Sequence, residues 1–121
     1  MSKPAGFFVV LAIVSLAASA AGAHAFLDRA NPAVGSTIHG APAQLQIWFT
    51  QELEPAFSTV TVTDSSGAQI DKNDKHVDAN DPTLLEVSLP QLPPGDYTVN
   101  WRALSVDTHI TEGKFTFTVA P

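Results

Sequence analysis

The chain has 121 residues, six of them basic and 12 acidic, for a formal net charge of −6, and it contains no cysteine. An acidic chain without a basic patch argues against nucleic acid and anionic membranes as partners. Without cysteine there are no disulfides and no thiolate metal ligands, so stability must come from apolar packing.

The first predicted element is a secretory leader over residues 1–23, of the kind exported through the Sec pathway. Lys3 supplies its positive start, Phe7 to Leu16 its apolar stretch, and Ala21-Gly22-Ala23 an A-x-A-like cleavage site. Gly6 to Ala23 approaches the length of a membrane anchor. However, Ala, Ser and Gly dominate its second half and no basic stop-transfer cluster follows. Cleavage after Ala23 leaves 98 residues, 24–121, enough for one domain. Lys3 leaves with the leader, which takes the formal charge to −7. The overlapping Ala23-His24-Ala25 is also A-x-A-like, and a cut there would discard His24.

Cleavage after Ala23 makes His24 the N-terminus. A terminal histidine carries two nitrogen donors, the α-amine and the ring, and can chelate a transition metal in a small closed ring. An internal histidine offers only its ring. On its own such a residue equally describes a frayed terminus. The only methionine is Met1, which leaves with the leader. The thioether and thiolate donors that select Cu(I) are therefore absent, and any metal site must be built from imidazole, amine, carboxylate or amide.

The mature part reads as all-β. Leu45, Ile47 and Phe49 alternate with Gln44, Gln46 and Trp48 in a first strand over Ala43 to Thr50. Phe57 to Thr63 forms a second, with Val60 and Val62 on one face, and Leu84 to Leu89 a third. Tyr97, Val99, Trp101 and Ala103 alternate with Thr98, Asn100 and Arg102 in a fourth. Phe115, Phe117 and Val119 alternate with Lys114, Thr116 and Thr118 in a fifth. Turn signals separate these runs at Asn31-Pro32, Gly40-Ala41-Pro42, Ser65-Ser66-Gly67 and Pro93-Pro94-Gly95-Asp96. Short strands divided this way predict a β-sandwich. Residues 71 to 82, rich in Asp, Asn and Lys, read as a solvated loop. The period-two aromatics Phe49, Trp101, Phe115 and Phe117 read as sandwich core rather than a ligand pocket.

The segment Ser105-Val106-Asp107-Thr108-His109 carries the remaining chemistry. In an extended backbone Asp107 and His109 share a face, with Thr108 turned away. The pair equally fits a structural Asp–His hydrogen bond or a solvated turn. Taken with His24, the donors would be an amine, two imidazoles and a carboxylate. That tetragonal N,O set suits Cu(II), with Ni(II) a geometric competitor. His39, ahead of Gly40, and His76, in the acidic loop, read as surface residues.

Across nearly the whole mature chain the sequence resembles the CopC-type periplasmic copper-binding (copper resistance) proteins. The likeness runs through His24-Ala25-Phe26-Leu27, Asn31-Pro32-Ala33-Val34-Gly35-Ser36, Ala41-Pro42 and Leu45-Gln46-Ile47-Trp48-Phe49. It closes on Pro94-Gly95-Asp96-Tyr97-Thr98-Val99-Asn100-Trp101-Arg102-Ala103, Ser105 to His109 and Gly113-Lys114-Phe115-Thr116-Phe117. Its most specific part is W-R-x-x-S-x-D-x-H ahead of G-x-F-x-F. The resemblance implies a single Greek-key β-sandwich, immunoglobulin-like or cupredoxin-like. It implies a periplasmic Cu(II) site at His24, Asp107 and His109, serving copper resistance, homeostasis or uptake without catalysis. A CopD-like inner-membrane copper transporter is the implied partner, and a monomer the expected state. Some members carry a Met-rich Cu(I) site, which this chain lacks. Some carry a Glu where this chain has Gln51, with Glu52 on the opposite face. Two rival readings remain: a metal-free secreted adhesion or carbohydrate-binding sandwich, and a histidine-brace copper oxidase. The small size and few exposed aromatics disfavour the oxidase.

Overall fold

A computed structural model describes residues 25–40 and 42–121; the leader, His24 and Ala41 lie outside the described residues. Eight strands follow in order: β1 (Leu27–Asn31), β2 (Thr37–His39), β3 (Gln44–Phe49), β4 (Thr59–Thr63), β5 (His76–Val77), β6 (Leu84–Ser88), β7 (Gly95–Leu104) and β8 (Ile110–Ala120). They form two four-stranded sheets, ordered β1-β3-β6-β5 and β2-β8-β7-β4. All pairings are antiparallel except β2 with β8. The chain crosses from the first sheet to the second for β2, returns for β3, crosses again for β4, returns for β5 and β6, and crosses a last time to β7 and β8. These crossings give the Greek-key sandwich. Among the described residues no helix is long and apolar enough to cross a membrane.

The alternation seen in the sequence becomes the core. Leu45, Ile47 and Phe49 from one sheet meet Val60, Val62, Val99, Phe115, Phe117 and Val119 from the other, all buried. Phe49 meets the half-buried Trp101 edge to face, with ring centroids 5.0 Å apart. Trp101 lies over Gly113, its register partner across the β7–β8 pair. A Cβ on Gly113 would come within 2.6 Å of the indole, which explains a glycine in mid-strand.

Tyr97 stacks on Phe117 at 5.5 Å, and its hydroxyl donates to the Pro93 carbonyl at 2.6 Å. A tyrosine opening a strand and bonded back to the preceding corner is a device of immunoglobulin-like sandwiches. Tyr97→Phe should leave the fold intact and cost about 1 kcal/mol, the net worth of one such bond, in urea denaturation.

Three strands were not legible in the sequence. β1 carries a register irregularity between Leu27 and Arg29 that breaks the period-two pattern. β2 has three residues, and β5 has two inside the segment read as loop. The second expected strand also starts later than its composition suggests. Pro55–Phe57 forms a 3₁₀ turn, Phe57 is 67% exposed, and β4 begins only at Thr59. The fully buried Ser58 takes over the missing strand contact: its hydroxyl accepts the Leu104 N–H at 3.1 Å.

In β6, Leu84 to Val87 are all buried, so that strand shows no alternation. Glu86, 4% exposed, is tolerated there because both oxygens are engaged. Gln46 donates to one at 2.8 Å, and the His76 ring lies 3.3 Å from the other.

Candidate metal centre

The long β7–β8 hairpin ends at residues 105–109. Two backbone bonds close its turn: the Ser105 N–H donates to the His109 carbonyl at 3.0 Å, and the Thr108 N–H to the Ser105 carbonyl at 2.9 Å. Thr108 sits in the left-handed region at φ 71°, unusual for a β-branched residue. The segment is therefore a tight turn, not the extended backbone expected from the sequence. Asp107 and His109 still meet, but turn geometry brings them together rather than strand alternation. Asp107 Oδ1 lies 3.4 Å from His109 Nδ1, and the two side chains are 44% and 46% exposed.

The turn is tied to the neighbouring segment 52–54 at three points. The Val106 N–H donates to the Glu52 carbonyl at 3.1 Å, the Glu54 N–H donates to the Leu104 carbonyl at 2.8 Å, and Leu53 bridges Ser105. Below it the Ser105 hydroxyl donates to Asp107 Oδ1. That bond, with the His109 ring beside it, holds the Asp107 carboxyl below the usual carboxylate range. The site therefore presents an anionic oxygen beside the His109 ring.

The described chain begins against the same hairpin. Ala25 is fully buried and its carbonyl accepts the Thr111 hydroxyl at 2.5 Å. The Phe26 N–H donates to Thr50 Oγ1 at 3.0 Å, and the Thr50 N–H returns a bond to the Phe26 carbonyl at 2.9 Å. Thr111 stands two residues beyond His109, and Gln51 follows the Thr50 that pins Phe26.

Asp107 and His109 are thus brought together, whereas His24 lies outside the described residues. Among the described residues no cluster of three or more His, Asp or Glu side chains forms a metal site. The exposed, hydrogen-bonded carboxylate and imidazole fit a borderline cation such as Cu(II), as two of the donors it needs. His39 pairs in register with Ala120, at the other end of β8 from His109, and His76 is committed to Glu86. Neither belongs to the site. Sequence reasoning gave no role to Ser105, Thr111 or Ser58. Ser105 had one available signal, its place inside S-x-D-x-H.

Residues 27–120 match the CopC domain. The crystal structure of CopC from Methylosinus trichosporium OB3b superposes with a TM-score of 0.72 at 36% identity, over 81% of this chain and 95% of that one. PcoC, a methionine-rich copper resistance protein from Escherichia coli, superposes at 0.70 with 33% identity, over 80% and 99%. The copper transport protein CutJ of Bacillus subtilis is 30% identical over 98 residues, which are 80% of this chain but only 18% of CutJ's length. By its sequence match and by its sandwich architecture, the chain belongs to the CopC domain family.

Proposed function

We propose that the protein is exported, loses its leader after Ala23, and binds one Cu(II) in the periplasm through His24, Asp107 and His109. The domain is then residues 24–121. The observation that carries this reading is a convergence at one end of the sandwich. The Asp107–His109 pair is held there, and Ala25 is tied to Thr111 at the start of β8. His24 precedes Ala25 by one peptide link, a Cα step of about 3.8 Å. Its amine and ring would complete a set of three nitrogens and one carboxylate oxygen. Unlike the methionine-rich PcoC, this chain keeps no methionine after processing, which favours Cu(II) over Cu(I).

The role is resistance, homeostasis or uptake by binding, without catalysis, and relatives named for copper resistance and copper transport support it. In CutJ the matched stretch belongs to a much longer copper transport protein. That supports a CopD-like inner-membrane transporter as the partner of this monomer. Its acidic charge speaks against a nucleic-acid role.

Ligation needs neutral imidazoles and an unprotonated amine, whose ordinary pKa values lie near ~6.5 and ~7.7. A Cu(II) titration across pH should show copper lost between roughly pH 7 and pH 4, with proton release on binding. Affinity that stays flat across that range would refute amine and imidazole ligation.

The fold should outlast the metal. Asp64, Asp74 and Asp81 are held below the ordinary carboxylate range, chiefly by hydrogen bonds from Ser66, Ser88 and Thr83 respectively. A carboxyl with a depressed folded pKa stabilises the native state fully above its unfolded value. It loses that contribution as pH falls through the lower folded value. Circular dichroism should therefore show acid unfolding only below about pH 4, after copper has gone.

A further inference from the structure

We infer that Ser105 is the positioning residue of the metal site, aiming the Asp107 carboxylate and the His109 segment before any metal arrives. This rests on reading Asp107 and His109 as ligands. Ser105 is fully buried, while Val106 to Ile110 are all exposed. Its one hydroxyl reaches both proposed ligands. It donates to Asp107 Oδ1, and it lies 3.4 Å from the His109 backbone N and 3.3 Å from the His109 carbonyl oxygen.

The hydroxyl is not needed to close the turn, because two backbone bonds already do so. A buried hydroxyl costs free energy unless it is hydrogen-bonded, and alanine would fill much the same space without that cost. What the hydroxyl adds is control of the carboxylate. With Oδ1 held by Ser105 and facing His109 Nδ1, rotation of the Asp107 side chain is restricted and its second oxygen remains for a cation. A pair fixed in advance loses less side-chain freedom on binding. Ser105 is itself held by the Leu53 bridge, and Leu104 before it by Ser58. The aim of the carboxylate is thus referred back to the core.

The test is a double-mutant cycle on the mature protein, with Cu(II) as the probe, using Ser105→Ala, Asp107→Ala and the double variant. Apo melting curves establish that each chain is folded, and Ser105→Gly replaces the alanine chain if that one does not fold. Ser105→Ala should weaken Cu(II) binding about 10- to 100-fold, the usual effect of removing a partner of a ligand. It should also shift the Cu(II) EPR parameters, and it should cost nothing further once Asp107 is alanine. A loss of equal size in both backgrounds would mean that Ser105 acts only on the fold, and would overturn the inference. So would unchanged affinity in Ser105→Ala beside weakened Asp107→Ala. If Asp107→Ala and His109→Ala both bound Cu(II) normally, the metal site itself would be wrong, and the role of Ser105 would fall with it.

Discussion

A single residue added ahead of His24 should lower Cu(II) affinity by at least about 100-fold, more than the 10- to 100-fold lost when a ligand's hydrogen-bond partner is removed. The extension leaves every side chain of the folded domain in place. It converts a primary amine into an amide, which coordinates only if its proton is displaced, and so breaks the terminal chelate. Asp107 and His109 remain, but as two donors on an exposed turn they provide no closed set. The visible d–d band should move with the affinity, because a nitrogen leaves the metal's plane. His109→Ala removes a different nitrogen and should fall in the same range. A competition titration against a chelator of known affinity measures both. An extended protein that kept its affinity and its spectrum would show that the terminal amine takes no part.

The second large effect concerns the fold. Phe117→Ala should cost about 3–5 kcal/mol, the range for deleting a buried aromatic side chain. Phe117 is 1% exposed and stacks on Tyr97 across the β7–β8 pair. Small domains have about 5–15 kcal/mol of total stability, so the variant should unfold at far lower urea and populate unfolded chain near room temperature. Because binding to the native state alone stabilises by mass action, Cu(II) should recover part of the loss. The folded fraction should still take one ion, since Phe117 lies well along the hairpin from its 105–109 turn. A variant whose urea midpoint matched the parent would show that the aromatic pair is not the centre of the core.

How far the sequence could be read followed from where regular burial imposes a regular pattern. Leu45, Ile47 and Phe49, and likewise Phe115, Phe117 and Val119, face one core from central strands, so period two survives in the chain. β1, with its irregular register, and the two- and three-residue strands β5 and β2 carry no such pattern. Phe57 looked like a strand residue on composition alone. Pro55 and the hydroxyl of Ser58 turn the chain away from the sheet there, a contact that depends on Leu104, distant in sequence. At the site, Asp107 and His109 were legible as a pair, but for the wrong local reason. The left-handed Thr108 that sets the turn has no signature in its residue type. Ser105, marked only by its place in S-x-D-x-H, and Thr111, not marked at all, could be given no role, because their importance lies in what their hydroxyls reach, Asp107 in one case and the Ala25 carbonyl 86 residues away in the other.

The most direct test of terminal ligation is nitrogen counting by EPR and related hyperfine spectroscopy on the exported protein loaded with one equivalent of Cu(II). Intact mass of the same sample fixes its first residue, and histidine labelled with ¹⁵N in the ring only separates ring from amine nitrogens. The account predicts a chain beginning at His24 and three coordinated nitrogens: the His24 amine, the His24 ring and the His109 ring. A chain beginning at Phe26, or a Cu(II) signal whose nitrogens do not include the terminal amine, would contradict it.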